Sequence, residues 1–183
     1  MRPYTKKYII TGAPGTGKTT LIRSLEREYS CIHEVSRKVI VGEQEKGGNG
    51  TPWQDLHKFV KLVYEASVHE LGLNPQALFT DRSMLDLLAY LQVEGMPVPL
   101  SIDRFPYHDK FRKKVFFAPT WQSIYHKDEQ RLQEFDYCLE LEKALKTTYI
   151  EKGFDIVKLP KDTVSIRVNF VYSFVKTLGT SID

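Results

Sequence analysis

Short apolar runs alternate along the chain with longer segments of helical period. Tyr8-Ile9-Ile10-Thr11 predicts a first buried strand, which the glycine-rich stretch GAPGTG ends. Leu21, Ile22 and Leu25 then recur at helical spacing between Lys18 and about Tyr29. Cys31-Ile32-His33-Glu34 predicts a brief second strand, and Ser36 is placed to cap a helix carrying Val39 and Ile40. GEQEKGGNGTP, from Gly42 to Pro52, reads as a loop on its glycines, asparagine and proline. A helix follows from near Pro52 to about Leu71, with Phe59, Leu62, Val63, Ala66 and Leu71 as its apolar stripe. Asn74-Pro75 breaks that pattern.

Ala77-Leu78-Phe79-Thr80 predicts a third strand, followed by Asp81-Arg82-Ser83 and a helix through Met84, Leu87, Leu88 and Leu91. Gly95, Pro97 and Pro99 end that helix, and residues 100–113 read as a short polar-faced helix or irregular insert. Val115-Phe116-Phe117-Ala118 gives a fourth strand. A long helical pattern runs from Asp128 to about Lys152, with Gly153 at its C-cap. Asp155 to Leu159 is a fifth strand, and a last helix runs from Thr163 to about Leu178. Short buried strands separated by helices predict an α/β fold: one three-layer domain over 1–183, with a parallel sheet covered by helices on both faces.

Composition narrows the function only a little. A 42% apolar and 27% charged content is that of an ordinary soluble globular protein, and a net charge of +3 gives no electrostatic case for nucleic acid. No run of about 18 apolar residues predicts a membrane span, and the N-terminal apolar run is too short for a secretory signal. A cytoplasmic location is therefore expected. Cys31 and Cys138 belong to no metal-spaced set and read as reduced thiols, and the five histidines show no ligand spacing either.

The chemistry starts at GAPGTGKT, Gly12 to Thr19, which fits G-x-x-x-x-G-K-[ST] without a mismatch. Glycines at 12, 15 and 17 let the backbone curl so that its N–H groups form an anion-binding nest across Gly12, Ala13, Pro14, Gly15, Thr16 and Gly17. The following helix points its positive end at the same space, with Thr20 in its first turn. Lys18 is placed to reach β- and γ-phosphates, and Thr19 offers a hydroxyl to Mg²⁺. Motif, preceding strand and following helix together predict binding of a purine nucleoside triphosphate as Mg²⁺–ATP.

Further candidates collect at strand ends, where open α/β sheets bind ligands. Asp81 is placed to hold a metal-bound water, and it or Ser83 could also cap the next helix, a role compatible with the first. Arg82 is a candidate contact for a substrate phosphate or carboxylate, or else pairs with a surface acid. Glu34, at the end of the second strand, is a candidate general base, against the plainer reading of a surface pair with Lys38. Arg37 lies one turn further on and could clamp an anion. Arg131 opens the long late helix as a candidate mobile cation over the transferring phosphoryl group. Trp53 and Trp121 lie in loops expected to face the cleft.

With GAPGTGKT, EVSR, TDRS and APTWQSIYHKDEQR in view, the chain resembles small P-loop proteins of the AAA-type ATPase domain group. It is similar in pattern to the kinase domain that phosphorylates ribosylnicotinamide, and more distantly to deoxynucleoside and nucleotide kinases. The resemblance runs from Tyr8 to about Leu178 and implies the strand order 2-3-1-4-5. It carries over Lys18 and Thr19 as phosphate and magnesium residues and Asp81-Arg82 as the acid–arginine pair. Glu34 falls near the acceptor hydroxyl, and Arg131 in a lid. The sensor and arginine-finger apparatus of ring-forming AAA machines is missing, which disfavours a hexameric motor. No N-K-x-D or T-K-x-D motif supports guanine reading.

Two functions follow as expectations. In the first, a small-molecule kinase transfers the γ-phosphate to an acceptor between the 42–53 loop, the helix after it and the insert near 95–112. In the second, a nucleotide-dependent switch or simple ATPase acts through a protein or lipid partner, with the glycine-rich 42–50 segment as the moving part.

Overall fold

The computed structural model describes residues 4–125 and 134–179. Its sheet holds β1 (Lys7–Thr11), β2 (Cys31–Ile32), β3 (Phe79–Asp81), β4 (Phe111–Phe117) and β5 (Asp155–Lys158). All pairings are parallel, in the order β2-β3-β1-β4-β5, as the resemblance implied. The helices are α1 (Lys18–Leu25), α2 (Val35–Glu45), α3 (Leu56–Leu73), α4 (Met84–Val93), the one-turn α5 (Leu100–Asp103) and α6 (Tyr107–Lys110), α7 (Phe135–Glu151) and α8 (Val164–Gly179).

The period-two alternation of a strand explains the layers. Tyr8 and Ile10 of β1 join Leu21, Ile22 and Leu25 of α1 and Val171 of α8 in one apolar cluster. Ile9 points the other way, to a cluster that includes Val60 of α3, Leu88 of α4 and Leu141 of α7. Both faces of the central strand are thus covered, and all of β1 is buried. Because the strands run parallel, the segments after β1, β2, β3 and β4 emerge along one edge, where the candidate residues lie.

Local departures from the sequence expectation have physical causes. Helix α2 continues through Gly42 to Glu45, so the loop begins only at Lys46. Glu43 sits on its inner face, 1% exposed, and accepts from the Gly50 N–H at 2.7 Å. The loop after α2 therefore folds back onto the helix instead of starting early. Helix α3 starts four residues past Pro52, where the Asp55 carboxylate caps it by accepting from the Lys58 N–H at 2.9 Å. Strand β3 is shifted to include Asp81 and to drop Ala77 and Leu78. Strand β4 starts at Phe111, inside the expected insert, because Phe111 is buried and pairs beside Lys7. Helix α7 is described from Phe135 onward; the expected start at Asp128 lies outside the described residues. Cys31 and Cys138 form no disulfide. Among the described residues, no helix is long and apolar enough to cross a membrane.

The C-terminus of α7 fixes a contact with the sheet. Gly153, at φ 80°, lets its N–H reach the Ile150 carbonyl at 2.9 Å and the Phe154 N–H reach the Tyr149 carbonyl at 2.9 Å. Phe154 then packs edge-on against Tyr149, with ring centroids 5.8 Å apart. So held, the Tyr149 hydroxyl donates to Asp86 Oδ2 at 2.7 Å, and Thr11 at the end of β1 donates to Asp86 Oδ1 at 2.6 Å. A buried carboxylate thus ties β1, α4 and α7 together.

Lys7 opens the central strand with 0% exposure. Its ammonium donates to the Thr5 carbonyl at 3.0 Å and lies 3.9 Å from the Tyr4 ring centroid. Burial first, then Lys110, lowers its pKa to about 8.

Tyr149→Phe should remove one of the donors to a buried carboxylate, and urea unfolding should show a loss of about 1–3 kcal/mol. An unchanged midpoint would mean that Asp86 does not depend on that hydroxyl. For Lys7, the folded pKa lies below the unfolded one, so its contribution is full above about pH 10.5 and is lost as pH falls through about 8. Relative to wild type, Lys7→Met should therefore be more stable at pH 7 than at pH 9.5. Equal differences at the two pH values would show that the lysine is not desolvated.

Candidate functional site

The loop Gly12–Thr19 joins β1 to α1, and each glycine in it has a reason. Gly12 has φ 144°, and a Cβ there would collide with the Ala118 carbonyl oxygen, since β4 passes directly behind it. Gly15, at φ 77°, faces the Tyr125 ring 2.5 Å from where a Cβ would stand. Gly17, also at φ 77°, occupies the N-cap of α1 without side-chain capping, so the first N–H groups of the helix remain available. Pro14 through Thr20 line a cavity of about 570 Å³, whereas Gly12 and Ala13 lie buried behind the loop. That volume is ordinary for a small-molecule site.

Lys18 is 4% exposed and folds back on its own loop. Its ammonium donates to the Ala13 carbonyl at 2.8 Å and to Thr16 Oγ1 at 3.2 Å. Burial first, then the Arg82 guanidinium, lowers its pKa to about 7, against the opposing pull of Asp81, Glu34 and Asp86. Asp81 ends β3, 2% exposed. Burial and then the Glu34 carboxylate raise its pKa to about 6, against Lys18 and Arg82. Its Oδ2 lies 3.5 Å from Thr19 Oγ1, a long contact, and its Oδ1 is buried with no hydrogen-bond partner. Two hard oxygen donors side by side, one with an unfilled lone pair, fit Mg²⁺, which takes few protein ligands and completes its shell with water and phosphate. Among the described residues, no group of three or more His, Cys, Asp or Glu offers a metal cage.

Arg82 follows in a left-handed conformation, φ 69°, rare for a residue with a side chain. Three oxygens hold it there. Its Nε donates to Glu34 Oε1 at 2.9 Å, and its Nη1 to the Gly12 carbonyl at 2.9 Å and Asp86 Oδ1 at 3.0 Å. The guanidinium is thus a fixed brace between the loop, β3 and α2, and those carboxylates raise its pKa well above the ordinary value despite its burial.

Glu34 lies two residues past β2, at the N-cap position of α2. Ser36 does not cap this helix; its hydroxyl donates to Glu34 Oε1 at 3.0 Å. Arg37 meets Glu34 Oε2 at 3.3 Å, while Lys38 pairs instead with Glu70 at 2.8 Å. The surface pair of Glu34 with Lys38 is therefore replaced by a nearly buried pair with Arg82. Burial pushes the Glu34 pKa up, but Arg82, Lys18 and Arg37 outweigh it and hold the carboxyl at about 2. Such a group stays ionised at any ordinary pH, so it orients a hydroxyl as an anion and takes a proton only from a group that has turned strongly acidic.

The cavity continues past Glu34 and Arg82 into the space between α2, α3 and α4. Arg37 and Trp121 line it; Trp53 does not, being 42% exposed and turned outward. Residues 95–110 do not line it either, so the expected contribution of the insert reduces to Phe111, and that of the 42–53 loop to Pro52. Arg131 lies outside the described residues.

The structure adds residues that the sequence did not single out. Asp86 is 2% exposed and receives bonds from Thr11, Arg82, Tyr149 and the Ser83 N–H. Together with the Ser83 hydroxyl it forms a capping box on α4, and the S-x-x-D spacing was the available signal. Tyr90 lines the cavity with no comparable signal. Arg167 of α8 is 3% exposed, donates to the Thr16 carbonyl at 2.9 Å and keeps a buried Nε without a partner. Nothing in the surrounding S-I-R-V-N sequence sets it apart.

Comparison with solved structures finds the same fold at low identity. Deoxyadenosine kinase from M. mycoides with bound dATP aligns with TM-score 0.66 and 13% identity, over 93% of this chain and 99% of that one. Thymidylate kinase from Candida albicans gives 0.64 and 15%, over 96% and 93%. NadR in complex with NAD and AMP-PNP gives 0.64 and 17%, over 98% of this chain and 51% of NadR, so the chain spans about half of that protein. No curated protein sequence matches. The family model described as an AAA domain matches residues 7–167, most of the chain and every described residue that lines the cavity. The chain belongs to this AAA domain family.

Proposed function

We propose that the protein binds Mg²⁺–ATP on the loop Gly12–Thr19 and transfers its γ-phosphate to a hydroxyl of a small molecule held between α2, α3 and α4. One observation carries this reading: the cavity runs without interruption from the loop to that space, with the Glu34–Arg82 pair at the junction. A hydrolase or binding switch has no need of a second chamber opening onto the phosphates.

Thr19 and Asp81 would hold Mg²⁺, whose charge offsets the charge on the phosphate oxygens. Lys18 leaves the Ala13 carbonyl for the β- and γ-phosphates, exchanging a neutral acceptor for charged ones. Arg82 keeps the loop, Glu34 and Asp86 in register, and Arg167 braces the loop from α8. Glu34 accepts a hydrogen bond from the acceptor hydroxyl and points its oxygen at phosphorus. In a loose transition state that oxygen turns strongly acidic only as its bond to phosphorus forms. A carboxylate of low pKa can then take the proton and release it to water.

The switch reading finds less support. The first part of the 42–50 segment is helical, and Gly50 and Lys58 pin the rest to Glu43.

ADP release should rise above the acceptor-free rate for at least one hydroxyl compound in a panel, and a panel with no such compound would end the proposal. Lys18→Ala should lower that stimulated rate by about 10²–10³-fold. Because Glu34 is ionised down to about pH 2, it should give no acid limb to kcat between pH 5 and 8. Glu34→Gln should reduce kcat at every pH in that window and leave the profile's shape alone. Disappearance of a limb in the variant would instead make Glu34 the titrating base.

A further inference from the structure

We infer that the acceptor is a neutral alcohol carried on an apolar body, an aryl or branched-alkyl alcohol, and not a nucleoside or a phosphorylated compound. This inference rests on the phosphoryl-transfer reading above and adds the substrate class. It follows from where the polar groups of the cavity lie.

The inner chamber is bounded by Ile40 of α2, Phe59, Val63 and Leu71 of α3, and Leu87 and Tyr90 of α4. Five of these six side chains carry no polar atom. Ser36 and Arg37 of α2, Ser67 of α3 and Asp86 of α4 are the polar residues that these helices also contribute to the lining, and among the described residues no Asn, Gln or His lines the cavity. A nucleobase presents several donors and acceptors on its edge, and burying them against such walls leaves them unsatisfied. A site built to read a base needs matching polar groups at fixed positions. The walls of this chamber reward apolar area instead, at roughly 25 cal/mol per Å² removed from water.

The cations decide the reacting group. A phosphate acceptor needs a positive charge facing the chamber. Arg82 is committed to Glu34, Asp86 and the Gly12 carbonyl, and Arg37 pairs with Glu34. Lys18 and Arg167 lie on the triphosphate side, Lys18 against the Ala13 carbonyl and Arg167 against the Thr16 carbonyl. The carboxylate of Glu34 at the junction repels a second anion and accepts from a hydroxyl. In the transfer, the alcohol oxygen forms a bond to the γ-phosphorus while the bond from phosphorus to the β,γ-bridging oxygen breaks. ADP leaves with that electron pair, and the hydroxyl proton passes by way of Glu34 to water.

The test is calorimetric titration of the full chain, loaded with Mg²⁺ and AMP-PNP, with geraniol, 4-biphenylmethanol, thymidine and thymidine monophosphate. At least one of the two apolar alcohols should bind ten times more tightly than either thymidine compound, and the same alcohol should raise ADP release from ATP. Geraniol against 4-biphenylmethanol separates an alkyl from an aryl body. Val63→Phe, which fills the chamber, should weaken that alcohol at least tenfold while AMP-PNP still raises the melting temperature, showing that the variant is folded. Thymidine or its monophosphate binding more tightly and accepting phosphate would overturn the inference and leave the kinase reading standing. Binding of an alcohol without any ADP release would support the chamber's preference and remove the kinase reading. Should neither alcohol bind, the inference is wrong whatever the variant does.

Discussion

Arg82 holds a left-handed backbone conformation, φ 69°, that a side chain adopts only where its surroundings enforce it. The enforcement is electrostatic. Glu34, Asp86 and the Gly12 carbonyl take its donors, and each comes from a different part of the chain. The junction after β1, the N-terminus of α2 and the first turn of α4 are thereby locked to the end of β3. Without that lock, the glycine-rich loop would keep its shape but lose its fixed distance from Asp81 and from the chamber.

The same network explains an electrostatic division of labour. Arg82 and Glu34 are committed to each other and keep their charges. Lys18 and Asp81, buried nearby, are both drawn toward neutrality, to about 7 and about 6. Desolvation is the leading cause for each, so a polyanion and a divalent cation arriving together would supply the missing partners. The Arg82–Glu34 brace keeps its charges, whereas Lys18 and Asp81 are poised to change state.

The architecture and the glycine-rich loop were legible in the sequence because their signals are local. Buried parallel strands leave apolar runs, and a phosphate loop needs glycines, a lysine and a hydroxyl at fixed spacing. Asp81 was legible for the same reason, at the end of an apolar run. Lys7 and Phe111 were not, since a lysine at a strand start and a phenylalanine in a polar stretch carry no mark of the burial that β1 and β4 give them. Gly42 read as a loop because its neighbours are loop-like, yet the inward face of α2 carries the helix through it. Asp86, Tyr149 and Arg167 act through partners 63 to 151 residues away, a pairing that no local pattern encodes. Trp53 shows the converse: a loop aromatic near the cleft in sequence that turns to solvent in space.

Everything in this account depends on the loop holding a triphosphate, and calorimetric titration of the protein with ATP in magnesium, repeated on Lys18→Ala, measures that directly. Saturable one-to-one binding by the wild type is expected, weakened at least tenfold in the variant. At 100 times its Kd the nucleotide should also add about 2.7 kcal/mol to the unfolding free energy. No binding heat and no added stability in the wild type would contradict it.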